Sequence, residues 1–123
     1  MAKITGSTAV ISGGASGIGA ALSRALVAAG AAIAIFDKDC ERGQALADEL
    51  GDLAEFHRVD VTDEVGVSGA LDLVMSRRGS IQLNANLAGI SHAARTVGKH
   101  GPFDFEKYKR VVDVNLSGTF NMV

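Results

Sequence analysis

The sequence predicts an α/β fold, a doubly wound parallel sheet with helices on both faces. Three observations carry this reading. Short apolar runs alternate with stretches of helical period along all 123 residues. One of the runs, Ala32–Phe36, is apolar without interruption, as a strand buried on both faces of a parallel sheet must be. Finally, Ser12–Gly19, read Ser-Gly-Gly-Ala-Ser-Gly-Ile-Gly, leads from the apolar Ala9, Val10 and Ile11 straight into a helical pattern. A glycine-rich strand-to-helix turn of this kind brings backbone N–H groups and a helix dipole up to a phosphate.

The elements follow in order. Thr8–Ser12 is the first strand. Gly17–Ala29 is an amphipathic helix, with Leu22, Ala25, Leu26 and Ala29 on its inward face and Gly30 as a left-handed stop. The second strand, Ala32–Phe36, ends at Asp37. A helix over Cys40–Leu50 turns Ala45, Leu46 and Leu50 inward and stops at Gly51. Ala54–Val59 is the third strand, ending at Asp60. Asp63 caps a helix running to Arg78 that buries Val67, Ala70, Leu71, Val74 and Met75. Gly66 and Gly69 weaken this helix by up to ~1 kcal/mol each relative to alanine. Ile81–Leu87 is the fourth strand, carrying the amides of Gln82 and Asn84, which need partners if buried. Ser91–Phe103 has no period and reads as a loop, a length that is often functional. Asp104 caps a last helix with an apolar stripe of Phe105, Tyr108, Val112 and Leu116. That pattern reaches Val123 without a stop signal, so the sequence reads as one domain, residues 1–123, cut inside a helix.

Composition excludes several classes. Hydrophobic residues make up 47%, enough for a core and too many for disorder. A net charge of −2 argues against binding to nucleic-acid phosphates. No apolar run approaches the roughly 20 residues that span a bilayer, and Met1–Gly6 lacks the apolar core of a secretory signal. The single cysteine, Cys40, cannot form an internal disulfide and fits a reducing cytoplasm. His57, His92 and His100 are scattered without ligand spacing and read as surface or loop residues, so no metal is expected.

Four features point to chemistry. Gly13 permits the tight turn, Gly17 lets the backbone approach a diphosphate and Gly19 allows the helix to pack closely, while Ser16 adds a hydroxyl. Asp37, eighteen residues beyond Gly19 at a strand end, can accept both ribose hydroxyls of an adenosine. Its charge repels a 2′-phosphate, which favours NAD over NADP; Lys38 softens that preference. A helix cap is the plainer role for Asp37. Asp60-Val61 ends the third strand, where a carboxylate can accept from an adenine amine and a valine can cover the ring; capping serves Asp60 equally well. Asn86-Leu87-Ala88-Gly89 ends the fourth strand with small residues on which a nicotinamide ribose can lie.

In order and spacing these features resemble the short-chain dehydrogenase/reductase family along the whole chain. The family pattern Thr-Gly-x-x-x-Gly-x-Gly is matched at Ser12–Gly19, and its Asn-Asn-Ala-Gly at Asn86–Gly89, where Leu87 replaces the second asparagine. Val114-Asn115-Leu116-Ser117-Gly118 matches the segment holding the helical asparagine of the catalytic tetrad. The resemblance implies a Rossmann-type sheet of order 3-2-1-4. It also implies a nicotinamide cofactor held by Gly13, Ser16, Gly17, Ile18, Gly19, Asp37, Asp60, Val61, Asn86, Leu87, Ala88 and Gly89. It assigns Asn115 to the catalytic set, an alcohol or carbonyl substrate, and a homo-oligomer. Ala94–Lys99, with its longer loop, is similar to members of the type 2 3-hydroxyacyl-CoA dehydrogenase group; a hydroxysteroid is the other substrate class. The family's serine and Tyr-x-x-x-Lys pair lie beyond Val123, so hydride transfer is not expected of these residues alone. Tyr108, followed four residues on by Val112, is no substitute and reads as a packed helix residue. Two alternatives stand beside an enzyme: an inactive dinucleotide-binding fragment, and an S-adenosylmethionine-dependent methyltransferase, against which the glycine spacing counts.

Overall fold

The structure, a computed structural model, describes residues 3–123; Met1 and Ala2, the first residues of the Met1–Gly6 stretch that lacks a secretory-signal pattern, lie outside the described residues. Four parallel strands form the main sheet: β1 (Thr8–Ser12), β2 (Ala32–Asp37), β3 (Ala54–Arg58) and β4 (Leu83–Asn86). Their order is β3-β2-β1-β4, as the sequence predicts. β1 therefore lies between β2 and β4, with Ser12 opposite both Phe36 and Asn86. The chain reverses its direction of travel across the sheet at that point, and the carboxyl ends of β1 and β4 open a crevice there.

Side chains alternate through the strands into two cores. On one face Ala9, Ile11, Ile33 and Ile35 pack with Leu26 of α1 (Gly17–Ala28) and Leu46 of α2 (Cys40–Leu50). On the other, Val10, Ala34 and Phe36 pack with Val67, Ala70 and Val74 of α3 (Glu64–Arg78) and with Met122. Asp63 and Asp104 cap their helices as expected, accepting from the N–H groups of Gly66 and Glu106. Asp39, not Asp37, caps α2 through the N–H of Arg42.

Several helix faces are rotated from expectation. In α1, Ala25 and Ala29 are exposed, and Gly19, Ala20, Ser23 and Leu26 face inward. Gly19 dictates this, because its Cα lies so close to the glycine turn that a Cβ would stand 2.0 Å from the Gly13 carbonyl oxygen. Ser23 tolerates burial by donating its hydroxyl to the Gly19 carbonyl. In α2, Ala45 is exposed and Gly43 is buried, seated against the ring of Phe56. Met75 of α3 is 45% exposed rather than buried.

β4 is shorter than the predicted Ile81–Leu87. Gln82 lies outside it, its Oε1 accepting from the Thr8 N–H and its Nε2 donating to Ser80. Asn84 donates to the Met122 carbonyl. The predicted Ser91–Phe103 loop contains a small antiparallel hairpin, β5 (Val97–Gly98) with β6 (Gly101–Pro102), in which Gly101 has φ +115°. Lys99-His100 joins the two strands and is not a typical tight-turn pair, which is why the sequence hides it.

The last helix has a π turn in its middle: α4 (Phe105–Val112), the π turn over Asp113–Ser117, then α5 (Gly118–Met122). Its expected apolar stripe faces solvent, with Phe105, Tyr108 and Leu116 all more than half exposed. Tyr108 stacks on Phe105 at 5.9 Å rather than packing in the core. The inward side is instead Val114, Gly118 and Met122, because only a glycine fits where the helix crosses Val61: a Cβ on Gly118 would stand 2.5 Å from the valine. His57, read as a surface or loop residue, is half-buried in β3, edge-on to Phe36 and against Glu55.

Candidate dinucleotide site

A cleft of about 390 Å³ opens at the carboxyl ends of the strands. All the sequence-predicted site residues line it except Asn86 and Asn115. Phe36, Lys38, Val59, Ile90, Arg110 and Val114 complete the lining.

The floor is the glycine turn. Gly13 has φ +66°, and a Cβ there would stand 2.7 Å from the Ala88 amide nitrogen, so the turns after β1 and β4 meet backbone to backbone. Ser12 ties them further, its Oγ accepting from the Leu87 and Ala88 N–H groups. Gly17 has φ +51° and nothing within 4 Å of its would-be Cβ, so the backbone lies bare to the cleft.

The start of α1 is chemically unlike those of α2, α3 and α4. α2, α3 and α4 each begin with an aspartate whose side chain accepts a backbone N–H, and each has a glutamate in its first turn. Among the described residues, α1 has neither: Ser16 makes no capping bond, and its first turn holds no acid. The first N–H groups of any helix lack intrahelical partners, and aligned peptide dipoles make that end positive. Here they face the cleft with no carboxylate to meet them, an arrangement suited to an anion.

Asp37 stands beside this end, fixed from two sides. Its Oδ2 accepts from the Ala15 N–H at 3.0 Å and its Oδ1 from the Asp39 N–H at 3.0 Å. Each carboxylate oxygen has a second lone pair, so the group is oriented but not saturated. Asp60 is held comparably: its Oδ1 accepts from both the hydroxyl and the N–H of Thr62. Those two bonds, with Lys38 adding to them against a smaller effect of burial, hold the Asp60 carboxyl below the usual carboxylate range. Its Oδ2 faces the Lys38 ammonium at 3.5 Å.

The two predicted residues outside the lining have other surroundings. Asn86 sits at the end of β4 and buries its Oδ1 with no partner among the described residues. Asn115 lies in the π turn and bonds through both ends of its amide to the backbone of Ile90. Sequence reasoning missed Ile90 and Arg110 as lining residues. Neither belongs to a motif, and an exposed arginine on a polar helix reads as a solvated face.

Comparisons with known proteins identify the family and the fold. The short chain dehydrogenase family model matches residues 7–123. The human 3-hydroxyacyl-CoA dehydrogenase type-2 is 40% identical over 98% of this chain and 47% of its own length. A 3-alpha-(or 20-beta)-hydroxysteroid dehydrogenase of Mycobacterium bovis is 36% identical over 96% of this chain and 44% of its own length. The crystal structure of 3-hydroxyacyl-CoA dehydrogenase type-2 from Mycobacterium avium superposes with a TM-score of 0.86 at 38% identity, over 95% of this chain and 46% of that one. The chain thus spans about half the length of the relatives it matches. With its family match nearly end to end, its sheet order and its glycine turn, this chain belongs to the short-chain dehydrogenase family.

Proposed function

We propose that residues 1–123 are the NAD(H)-binding part of an oxidoreductase acting on an alcohol or carbonyl, with a 3-hydroxyacyl-CoA or a hydroxysteroid as the substrate class suggested by the names of its relatives. The observation that carries this is the start of α1, a helix end without acid or side-chain cap that opens on a cleft whose next wall is Asp37.

The residues fit the dinucleotide group by group. The N–H groups of Gly17, Ile18 and Gly19 take the diphosphate, which the bare backbone at Gly17 lets approach. Asp37, held by the Ala15 and Asp39 amides, offers its remaining lone pairs to the adenosine ribose hydroxyls. Asp60 presents Oδ2 to the adenine amine while Val61 covers the ring. Leu87, Ala88 and Gly89 lie along the nicotinamide ribose, on a turn that Ser12 and Gly13 hold in place. Bound nicotinamide supplies the hydride chemistry. Asn115 acts on that end of the cleft through Ile90. No Tyr-x-x-x-Lys sequence occurs in the chain, so by this reading the 123 residues bind the dinucleotide without turning over. The acid at Asp37 places NAD ahead of NADP. The working protein is a cytoplasmic homo-oligomer, a reading supported by the exposed stripe of Phe105, Tyr108 and Leu116 and by the single free cysteine.

Fluorescence titration tests the proposal. NADH is expected to bind, and Asp37→Ala to weaken it at least ten-fold. Tight binding of S-adenosylmethionine with no response to NADH would overturn the reading in favour of a methyltransferase.

A further inference from the structure

We infer that the Lys38–Asp60 ion pair is a selectivity device, in which Asp60 keeps the Lys38 ammonium from serving a 2′-phosphate. This rests on the dinucleotide reading of the cleft. Lys38 directly follows Asp37 and lines the same cleft, so its ammonium is the nearest cation in sequence to the ribose-binding acid. A lysine in that place attracts a phosphate on the ribose as readily as Asp37 repels one. The structure directs it elsewhere: Nζ lies 3.5 Å from Asp60 Oδ2, across the gap between the ends of β2 and β3.

Asp60 is well placed for this. Thr62 engages Oδ1 twice, through its hydroxyl at 2.7 Å and its N–H at 3.0 Å, which fixes the carboxylate with Oδ2 turned to Lys38. The same two bonds hold Asp60 ionised, so the pair persists through neutral pH. The carboxylate thus has two uses, as acceptor for an adenine amine and as anchor for Lys38. The adenine is common to NAD and NADP, so only the second bears on choosing between them. Arg110 also lines the cleft, from α4, and is unaltered by changes at this pair.

Binding of NADH and NADPH to the full-length protein and three variants tests the inference, read as the ratio of the two dissociation constants. In that ratio any loss of adenine contact cancels. Asp60→Asn keeps an oxygen acceptor for Thr62 and frees Lys38. It is expected to shift the ratio toward NADPH about two- to five-fold, the range open to an exposed ion pair. Lys38→Ala alone is expected to move the ratio less than two-fold, and in the double variant most of the Asp60→Asn shift disappears. An equal shift from Asp60→Asn with and without Lys38 would overturn the inference, since the lost negative charge would then account for all of it. A large loss of NADPH binding in Lys38→Ala would overturn it too, by showing that Lys38 already serves the phosphate. If the unaltered protein binds neither dinucleotide, the reading of the cleft fails first, and this inference with it.

Discussion

Asn115 and Ile90 hold each other in a reciprocal pair: the Asn115 Nδ2 donates to the Ile90 carbonyl and its Oδ1 accepts from the Ile90 N–H, both at 2.8 Å. Twenty-five residues separate them, so the last helix clasps the turn that follows β4. The clasp comes from the π turn over Asp113–Ser117, the kind of local widening that recurs at functional sites. Gly89 fits beneath it, since a Cβ there would stand 3.3 Å from the Asn115 Oδ1.

Asn115→Ala removes both bonds and is expected to destabilise the fold by about 1–2 kcal/mol, near the net worth of two exposed hydrogen bonds. Faster hydrogen exchange at the Ile90 amide locates the effect. Asn115→Asp keeps the acceptor but sets a carboxylate against the Ile90 carbonyl, so it should restore protection only in part. Unchanged exchange at Ile90 in the alanine variant would show that the clasp contributes nothing.

The glycine turn separates packing from conformation. At Gly19 a Cβ would collide with the Gly13 carbonyl, and Gly19→Ala is expected to cost about 3 kcal/mol, as overpacking of a tight contact does. At Gly17 nothing stands in the way, and the cost of Gly17→Ala is the positive φ alone, roughly 1–2 kcal/mol. Urea denaturation should rank the two in that order, with Gly17→Ala still folded and weakened in binding NADH. Equal stabilities would contradict the geometry.

Glu55 predicts a pH dependence. Its side chain, 11% exposed, faces His57, Arg77 and Arg78. Burial acts to raise its pKa, but the hydrogen bonds from Arg77, Arg78 and His57 together outweigh it and hold the carboxyl below its ordinary value. A folded-state pKa below the unfolded one stabilises the fold above the unfolded value, about 4.3 for glutamate. That stabilisation is lost as pH falls through the folded value. Glu55→Gln is therefore expected to cost about 1 kcal/mol at pH 7. In denaturant melts the gap between parent and variant should close as the medium is acidified below about pH 4. A gap independent of pH would assign the effect to packing.

Much of this was legible in the sequence because its causes are local. Asp63 and Asp104 cap helices by bonds that reach only two or three residues ahead; at α2, where two aspartates stand close before the helix, only the fold decides that Asp39 rather than Asp37 is the cap. The glycines at 13, 17 and 19 and the acid at 37 were readable for the same reason, as fixed offsets from a strand end. The rest was set by contacts distant in sequence. Alanine suits either face of a helix, so only the meeting of Gly19 with Gly13 decides that Ser23 rather than Ala25 points inward. Gly118 against Val61 likewise turns the last helix so that Leu116 faces water, and no period in residues 105–123 reports a valine at position 61. Ile90 and Arg110 entered the cleft unannounced, since neither residue type signals a wall.

The start of α1, without acid or side-chain cap, ties ligand to stability. An anion seated there meets N–H groups that no side chain of the fold caps, so occupancy and resistance to heat are coupled through that helix end. A diphosphate compound at ~100 times its dissociation constant would add about 2.7 kcal/mol to the folded state by mass action. The starts of α2, α3 and α4 carry their own aspartates and gain nothing from such a guest.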